Sequence, residues 1–277
     1  LKILLLEREP ALGLHSSGLN AAIGRTYSSE ESFLALNKRG MAFLKNPEKF
    51  VTNITGPFIR SCGLLLRSSS LSQELANTYK INFDSISRQN AARKCGALAS
   101  CSWDDAYFFP DDGIIDIHQL LEFYRKASIA SGVKLRTGVQ YKSIEVSNNC
   151  YEVELNNGEQ LKSKVLVNAA GAWANMLAAD IGSKKLGLLP LRRHLHITDT
   201  DFDIMDWPVF WDDDAGYYFR QEGNKLLLCS CDETLVEETN LMATIGSVGG
   251  CKQSDNASLW LGEKLKEHCP KLFSSSL

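Results

Sequence analysis

The run KVLVNAAGAWANMLAADIG, at residues 164–182, decides the fold class. Residues 164–167 are mostly apolar and predict a buried strand, and the small residues after them predict a tight turn into a helix that ends at Gly182. A strand, a tight turn and a helix in that order are typical of α/β proteins. The Ala-Ala-Gly tripeptide would lie at the carboxyl end of the strand, where open α/β sheets bind ligands. Close packing of the helix on its strand explains the same small residues equally well.

A second strand pattern stands at the start of the chain. Residues 1–6 form an apolar run that is closed by Glu7, which predicts a buried parallel strand. In a dinucleotide-binding βαβ unit an acid at this place accepts hydrogen bonds from ribose hydroxyls, although a solvated acid has the same pattern. The loop HSSGLNAA at 15–22 offers hydroxyls, an amide and close backbone access to a phosphate or a flat ring. The glycine-rich turn of such a unit precedes the acid by roughly 20 residues, so we expect the chain to lack its original start.

Capping patterns and turn dipeptides predict most of the other elements. Capping boxes that begin at Ser28, Ser70 and Asp116 predict three helices. Gly132 follows the third helix where a C′ glycine belongs. The dipeptide Asn157-Gly158 predicts a tight β-hairpin.

Longer patterns predict further strands and a last helix. Residues 58–67 read as one strand, 216–221 and 225–231 as a hairpin, and 258–268 as a helix before a proline.

Residues 191–198 alternate with period two and place an arginine among apolar side chains. Leu191, Arg193, Leu195 and Ile197 would share one face of a strand. A guanidinium on a buried face needs a partner, because an unpaired buried charge costs several kcal/mol. A bidentate carboxylate ligand would be such a partner, and a structural Asp or Glu would serve as well.

Composition and charge exclude several classes of function. The 277 residues include 30 Lys and Arg against 33 Asp and Glu, and no basic run could track a nucleic-acid backbone. No apolar run approaches the roughly 20 residues that span a bilayer. Eight cysteines without a CxxC pair, in a chain large enough to fold without disulfides, predict a reducing, cytoplasmic setting.

Established catalytic and metal motifs give little further indication. The sequence has no GxSxG, HExxH or Walker A pattern. His194 and His196 with Cys229 and Cys231 have the residue types of a metal site, but exposed histidines are the simpler interpretation, and we predict no metal.

Three segments together resemble a known family. The segments LLLERE at 4–9, HSSGLNAA at 15–22 and VLVNAAGAWA at 165–174 resemble the FAD-dependent D-amino-acid oxidase and dehydrogenase superfamily. Within it, PLRR at 190–193 and YYF at 217–219 are most similar to D-amino-acid dehydrogenases of the D-arginine dehydrogenase type.

The resemblance implies an α/β fold, α+β overall, with two domains. A discontinuous Rossmann-like FAD-binding domain would comprise 1–46 and 112–186, and a β-rich substrate-binding domain would comprise 47–111 and 187–277. The family has a C-terminal glycine-rich flavin segment after a helix like 258–268, so the resemblance also implies a fragment that lacks both ends.

The resemblance assigns cofactor contacts by position. Glu7 would hold the adenosine ribose, Arg8 would lie beside the adenosine, and Tyr141 would lend its backbone to the adenine. Contacts with the pyrophosphate and the flavin would come from two segments of small residues, namely Ser16, Ser17, Gly18, Leu19, Asn20, Ala21, Ala22 and Ile23, and Ala169, Ala170 and Gly171.

On the substrate side, the family holds an amino-acid carboxylate with an arginine and tyrosines. The matching positions are Arg193, Tyr218 and Tyr27. The implied reaction is oxidative deamination of a D-amino acid, in which a hydride leaves Cα for flavin N5 and water hydrolyses the imino acid to a keto acid and ammonia. Gly63 stands where arginine-using members carry an acid, and Leu19 replaces a polar or basic residue, which argues against a strongly basic substrate.

Two other functions share part of this pattern. A related FAD enzyme for a secondary amine or a 2-hydroxy acid would have the same flavin motifs and differ only in its pocket. A flavin-free, non-catalytic remnant would explain the expected missing ends. The sequence assigns no electron acceptor.

Overall fold

The computed structural model describes residues 1–49, 51, 54, 56–184, 187–237 and 255–276. Within these ranges the helices are α1 (Glu31–Lys45), α2 (Gln73–Thr78), α3 (Arg88–Lys94), α4 (Ile117–Ala130), α5 (Ala174–Asp180), α6 (Asp255–His268) and α7 (Pro270–Ser276). Short 3-10 turns occupy Pro47–Lys49, Gly96–Ser100 and Gly171–Trp173. In the described part of the chain, no helix has the length and apolar character needed to cross a bilayer.

Within the same ranges the strands form five sheets, the largest of seven strands in the order β13-β16-β15-β14-β4-β6-β5. They are β1 (Leu4–Leu6), β2 (Ile23–Gly24), β3 (Ile59–Arg60), β4 (Leu64–Arg67), β5 (Asp84–Ser87), β6 (Asp105–Phe109), β7 (Gly113–Ile115), β8 (Lys134–Arg136), β9 (Tyr141–Ser147), β10 (Cys150–Leu155), β11 (Gln160–Ser163), β12 (Leu191–Arg192), β13 (Leu195–Thr198), β14 (Val209–Asp212), β15 (Tyr217–Glu222), β16 (Lys225–Cys229) and β17 (Thr234–Leu235). The mixed α/β architecture expected from the sequence is confirmed.

The described chain divides into two compact units, of which unit 1 comprises 1–19, 121–192 and 233–237. In this unit β1 pairs with β8 in parallel, with Leu5 opposite Leu135. The strands β9, β10 and β11 form an antiparallel meander, and β12 pairs with β17. Unit 1 therefore contains the parallel pair that ends at Glu7.

Unit 2 comprises 20–120, 193–232 and 255–276 and contains the seven-stranded sheet. One face of this sheet buries Phe210, Phe219 and Leu228 with apolar residues of α6 and α7. Since side chains alternate along a strand, Tyr218 faces the other way, where residues of the segment 21–27 and α1 pack. The end of the predicted cofactor segment and the chain after it thus cover the sheet face that carries Tyr218.

The signals that depend on neighbouring residues alone are mostly confirmed. Helix α4 begins where predicted, since the Gln119 N–H donates to Asp116 Oδ1 at 2.8 Å, and Gly132 follows it with φ +85°. The Asn157-Gly158 turn joins β10 to β11. The other two predicted capping boxes are wrong. The Ser28 hydroxyl accepts a hydrogen bond from the Glu30 N–H, and Ser72 rather than Ser70 caps α2.

The strand predicted over 58–67 is two strands. Gly63 interrupts it between β3 and β4 with φ +85°. A Cβ at this glycine would lie 2.4 Å from the Phe108 ring. The backbone turns here because only a residue without a side chain fits both the angle and the space.

The buried strand predicted over 164–167 is wrong. After β11 ends at Ser163, these residues pair with no strand in the described part of the chain, and Val165 and Val167 are 71% and 78% exposed. Leu5 of β1 is also exposed, at 44%. An apolar run becomes a fully buried strand only where a sheet and its covering layers surround it, and the sheet of β1 and β8 has two strands.

The single strand predicted over 191–198 is also wrong. Strand β12 pairs with β17, while β13 pairs with β16 at the edge of the large sheet. Arg193 lies between the two strands and is exposed, and within β13 His196 is buried while Ile197 is 58% exposed. Alternation separates the two faces of a strand but does not say which of them is covered, because that depends on the partners that the strand meets.

Asp112 is a buried carboxyl group that holds the chain after the predicted cofactor loop. Its Oδ1 accepts from the N–H of Thr26 at 3.0 Å and from the Thr26 hydroxyl at 2.9 Å. Its Oδ2 is buried without a hydrogen-bond partner among the described residues. Burial raises the pKa of Asp112 from 3.8 to about 7.

We expect Asp112 to make the folded protein less stable as the pH rises from about 4 to about 7. The folded state keeps a proton there that the unfolded state loses, which lowers the free energy of unfolding by up to about 4 kcal/mol across that range. Asp112→Asn keeps an acceptor for Thr26 and cannot ionise. Denaturant unfolding at about pH 5 and about pH 8 should therefore show the variant gaining stability relative to the wild type at the higher pH. Equal differences at both pH values would contradict the prediction.

The described cysteines, at 62, 95, 101, 150, 229, 231 and 269, are free thiols. The cytoplasmic setting expected from their spacing stays a prediction.

Candidate functional site

The predicted ribose contact lies at the end of the parallel pair in unit 1. The Glu7 N–H donates to the Arg136 carbonyl at 2.9 Å and extends the ladder of β1 and β8 by one residue. One Glu7 carboxylate oxygen accepts from the Glu9 N–H at 2.9 Å. This bond fixes the carboxylate at the carboxyl end of a parallel strand, the place where open α/β sheets bind ligands.

Arg8 lies over an indole ring. Its guanidinium carbon is 4.5 Å from the centre of the Trp173 ring, and NH2 lies 3.4 Å from Glu9 Oε1. On the same indole, the His15 ring centre is 4.8 Å away, and His15 Nε2 is 2.9 Å from Glu9 Oε1. The four side chains therefore form one cluster, built on the loop after β1 and the turn before α5.

Tyr141 stands close to the same cluster. Its hydroxyl donates to Asp180 Oδ2 at 2.7 Å. Burial, together with this bond, raises the pKa of Tyr141 to about 12, and the nearby charge of Arg8 opposes the rise. The structure thus brings Glu7, Arg8 and Tyr141 together, as the predicted adenosine side requires.

The loop over Ser16, Ser17, Gly18 and Leu19 is a compact turn in unit 1. The N–H groups of Gly18 and Leu19 both donate to the His15 carbonyl at 2.9 Å. A Cβ at Gly18 would lie 2.0 Å from the Gly13 carbonyl oxygen, so the turn excludes any other residue there. The loop is exposed, and the His15 ring anchors it to Trp173.

A side chain organises the second small-residue segment. The Asn168 amide donates to the Ala174 carbonyl at 2.8 Å, and its oxygen accepts from the Ala170 N–H at 3.2 Å. Gly171 has φ +55° and nothing within 4 Å of the position of a Cβ. Ala169, Ala170 and Gly171 therefore present backbone with open space beside it, which a flat ligand needs for close approach.

In unit 2, the rest of the predicted cofactor loop packs on a predicted substrate residue. Ala21 and Ile23 contact the apolar cluster that is centred on Tyr218, Leu227 and Cys229. Tyr218 is 2% exposed. Two groups of residues that the sequence assigned to different ligands are therefore neighbours on one sheet face.

Aromatic stacking extends this cluster along the sheet. Trp211 lies opposite Tyr218 in the pairing of β14 with β15, and their ring centres are 4.9 Å apart. The guanidinium of Arg25 lies over the outer face of the indole, 4.6 Å from its centre. The tyrosine is thus fixed by its strand partner.

Two thiols border Tyr218. The chain turns back at Cys231, whose φ is +49° and whose N–H donates to Cys229 Sγ at 3.3 Å. A hydrogen bond from the Cys231 side chain lowers the pKa of Cys229 to about 7. Burial raises the pKa of Tyr218 well above its ordinary value, so its phenol is a neutral hydrogen-bond donor.

Arg193 is positioned by the turn that follows the two thiols. Its Nε donates to the Asp232 carbonyl at 3.4 Å, and its charge favours the ionised forms of Tyr218, Cys229 and Cys231. The Asp232 carboxylate fixes the next residue, accepting from the His194 N–H at 2.9 Å and lying 2.6 Å from His194 Nδ1. Arg193 therefore lies near enough to Tyr218 to act on it electrostatically, although Arg193 is exposed and not on a buried strand face.

Tyr27 lies in a different environment. It is buried in the cluster that contains Leu34, Leu64 and Phe109, and its ring stacks on Phe109 at 5.9 Å. Its hydroxyl accepts from the Ser72 N–H at 2.9 Å, at the start of α2. The structure thus gives Tyr27 a packing role and does not bring it to Arg193 and Tyr218.

Sequence reasoning assigned no role to several residues of these clusters. Trp173 and His15 lie within two of the segments that resemble the family. Arg220 stands two residues after Tyr218, so alternation along the strand places both side chains on the same sheet face. Among the residues that the structure describes, no group of three or more His, Cys, Asp or Glu side chains is arranged to hold a metal ion.

One family model and several solved structures match this chain. The family model for FAD dependent oxidoreductases, DAO, matches residues 1–276. L-proline dehydrogenase from P. horikoshii is 16% identical with a TM-score of 0.74, over 100% of this chain and 79% of that one. L-alpha-glycerophosphate oxidase from Mycoplasma pneumoniae with FAD bound is 16% identical with a TM-score of 0.75, over 100% and 74%. Glycine oxidase from Geobacillus kaustophilus is 16% identical with a TM-score of 0.68, over 99% and 73%.

At these identities the solved structures share the fold, and the match of the family model along nearly the whole chain identifies the family. The chain belongs to the DAO family of FAD-dependent oxidoreductases.

Proposed function

We propose that this protein oxidatively deaminates a D-amino acid, with FAD as the electron acceptor and Arg193 and Tyr218 as the carboxylate-binding residues. The observation that carries the proposal is the packing of Ala21 and Ile23 against Tyr218. It sets residues assigned to the flavin beside residues assigned to the substrate within one unit.

The residues of unit 1 fit the adenosine part of FAD. Arg8 Nε is buried and has no hydrogen-bond partner among the described residues, and a buried donor of this kind requires an acceptor. A ribose or phosphate oxygen is an acceptor of the right chemistry. Glu7 at the end of β1 would accept from ribose hydroxyls, and the open backbone at Gly171 would admit the dinucleotide.

The residues of unit 2 fit an amino-acid carboxylate. The Arg193 guanidinium offers two parallel N–H donors, which match the two oxygens of a carboxylate. The neutral phenol of Tyr218, which bonds to Cys229 in the structure, would turn to the carboxylate as a third donor. Three donors on one carboxylate fix the orientation of the Cα–H bond, and orientation is the contribution that a protein makes to hydride transfer.

FAD, when bound, supplies the hydride acceptor, and the substrate loses its Cα hydride and a proton from its amine. We propose no protein base, because an amine that binds in its neutral form needs none. Water then hydrolyses the imino acid to a keto acid and ammonia.

The environment of Gly63 bears on the substrate side chain. Members that use arginine carry an acid at the matching position, whereas here the Phe108 ring would lie 2.4 Å from any Cβ. The position is closed to a carboxylate. We therefore propose a neutral D-amino acid rather than D-arginine as the substrate.

A substrate panel tests the proposal directly. The protein is reconstituted with FAD, dialysed and scanned for flavin absorption, and it is then mixed anaerobically with neutral, acidic and basic D-amino acids. The matched controls are the L-enantiomers, with glycine, L-proline and glycerophosphate included because relatives are named for them. We expect neutral D-amino acids to bleach the flavin bands fastest and to release keto acid and ammonia in equal amounts.

Two results would contradict the proposal in different ways. A folded protein that retains no flavin would favour the non-catalytic remnant. Bleaching by L-proline or by glycerophosphate alone would leave the flavin site intact and replace the substrate class.

A further inference from the structure

Arg220 is a buried arginine without an assigned role. It lies on β15, 4% exposed, on the same sheet face as Tyr218. Burying a guanidinium is costly unless its donors are satisfied. The groups that accept hydrogen bonds from the Arg220 guanidinium therefore indicate which part of the structure this residue holds in place.

The guanidinium binds the backbone of the cofactor loop. Its Nε donates to the carbonyl of Ala21, while NH1 donates to the Gln221 carbonyl at 2.7 Å and pairs with the Glu222 carboxylate. Ala21 is 199 residues away in sequence and belongs to the segment that the family resemblance assigns to the flavin. One side chain therefore joins that segment to the strand that carries Tyr218.

The next residue of the loop shows why such a bond is needed. Ala22 has φ +54°, a left-handed conformation that L-residues other than glycine adopt only when their surroundings hold them. Its carbonyl accepts from the Ile115 N–H at 2.7 Å. Two successive carbonyls, of Ala21 and Ala22, are thus held by separate donors on separate strands.

We propose that Arg220 is a positioning residue for FAD, which fixes the loop at Ala21 and Ala22 in the conformation that receives the flavin. The inference rests on the proposed contact of FAD with this loop. A charged donor on the carbonyl is stronger than a neutral one. The same guanidinium also bonds to the Gln221 carbonyl, so it ties the loop to β15. Arg220 contacts the loop and would act on FAD through it.

Titration of apoprotein with FAD, followed by flavin fluorescence, tests this role. We expect Arg220→Met to weaken FAD binding by about ten- to a hundredfold, the usual effect of losing a hydrogen bond from a charged group. Arg220→Lys keeps the charge but lacks the planar fork, and should lie between the wild type and the methionine variant. Glu222→Gln is the matched control, because it removes the ion pair and leaves the bond to Ala21, and its FAD affinity should stay within about twofold of the wild type.

Hydrogen exchange separates positioning from general stability. Peptides that cover residues 16–24 should exchange faster in the folded Arg220→Lys protein, with β15 and β16 unchanged. If the methionine variant does not fold, the lysine variant alone provides the test.

The outcomes distinguish this inference from the proposed function. A wild-type protein that binds no FAD would overturn both. Wild-type affinity in a folded Arg220→Met or Arg220→Lys protein, or an equal loss in Glu222→Gln, would overturn only the role of Arg220.

Discussion

Replacing Arg193 with methionine should lower kcat/KM for the best D-amino acid by about a hundredfold or more. Two charge-assisted hydrogen bonds to the substrate carboxylate would be lost, each contributing about 1.5 to 3 kcal/mol. Methionine keeps much of the length and apolar surface of the side chain. The effect should appear mainly in KM if the arginine holds ground state and transition state equally, and in kcat as well if it orients the Cα–H bond. Steady-state kinetics on flavin-loaded protein measures both.

The neighbouring Arg192 gives the matched control. It is exposed and belongs to β12, where it pairs with Thr234. Arg192→Met changes the net charge by the same amount, so its kcat/KM should stay within about twofold of the wild type. Similar losses in the two variants would point to a diffuse charge effect and contradict a specific carboxylate site at Arg193.

The sequence predicted those parts of the fold that depend on a few neighbouring residues. The cap at Asp116, the glycine at 132 and the turn at Asn157-Gly158 each need only the local chain, because their hydrogen bonds close within about four residues. The two other capping boxes were wrong for an equally local reason, since the serine hydroxyls found nearer partners.

Burial of strands was harder to predict, since it depends on distant partners. The residues 164–167 have the composition of a buried strand, yet no sheet of the described chain receives them. Residues 191–198 alternate correctly, but the pairing changes from β17 to β16 between the two halves. The local pattern shows neither the missing sheet partner of 164–167 nor the change of partner within 191–198. The register and the buried face of a strand are set by the strands with which it pairs.

The candidate site was predicted in part for a related reason. The family resemblance named Arg193, Tyr218 and Tyr27 together. Arg193 lies near enough to Tyr218 to affect its pKa, whereas Tyr27 is buried in a different apolar cluster. No sequence pattern pointed to Arg220, because its proposed role depends on a hydrogen bond to the Ala21 carbonyl. A hydrogen bond between a side chain and a backbone group far away in the sequence produces no recognisable spacing of residues.

Replacing Arg67 with methionine should lower the free energy of unfolding by about 3 kcal/mol. Arg67 NH1 lies 2.7 Å from Asp212 Oδ1, and the Asp212 side chain is fully buried. That oxygen also accepts from the Ala215 N–H at 2.9 Å, while Oδ2 is buried without a partner among the described residues. Without its cation, the carboxylate stays buried and uncompensated, which typically costs about 3 to 5 kcal/mol, and the partial exposure of the arginine places the effect at the lower end.

A double variant shows that the loss comes from the charge and not from packing. Asp212→Asn in the Arg67→Met background removes the buried charge, so we expect it to recover most of the lost stability in urea unfolding. Arg125→Met is the surface control, because its pair with Glu122 at 2.6 Å is partly exposed on both sides, and such pairs contribute little. Because Asp212 directly follows Trp211 on β14, the same ion pair also fixes the strand end beside Tyr218. If the double variant were no more stable than Arg67→Met alone, an uncompensated buried charge would not explain the loss of stability. Packing around β14 would then have to hold the end of the strand beside Tyr218.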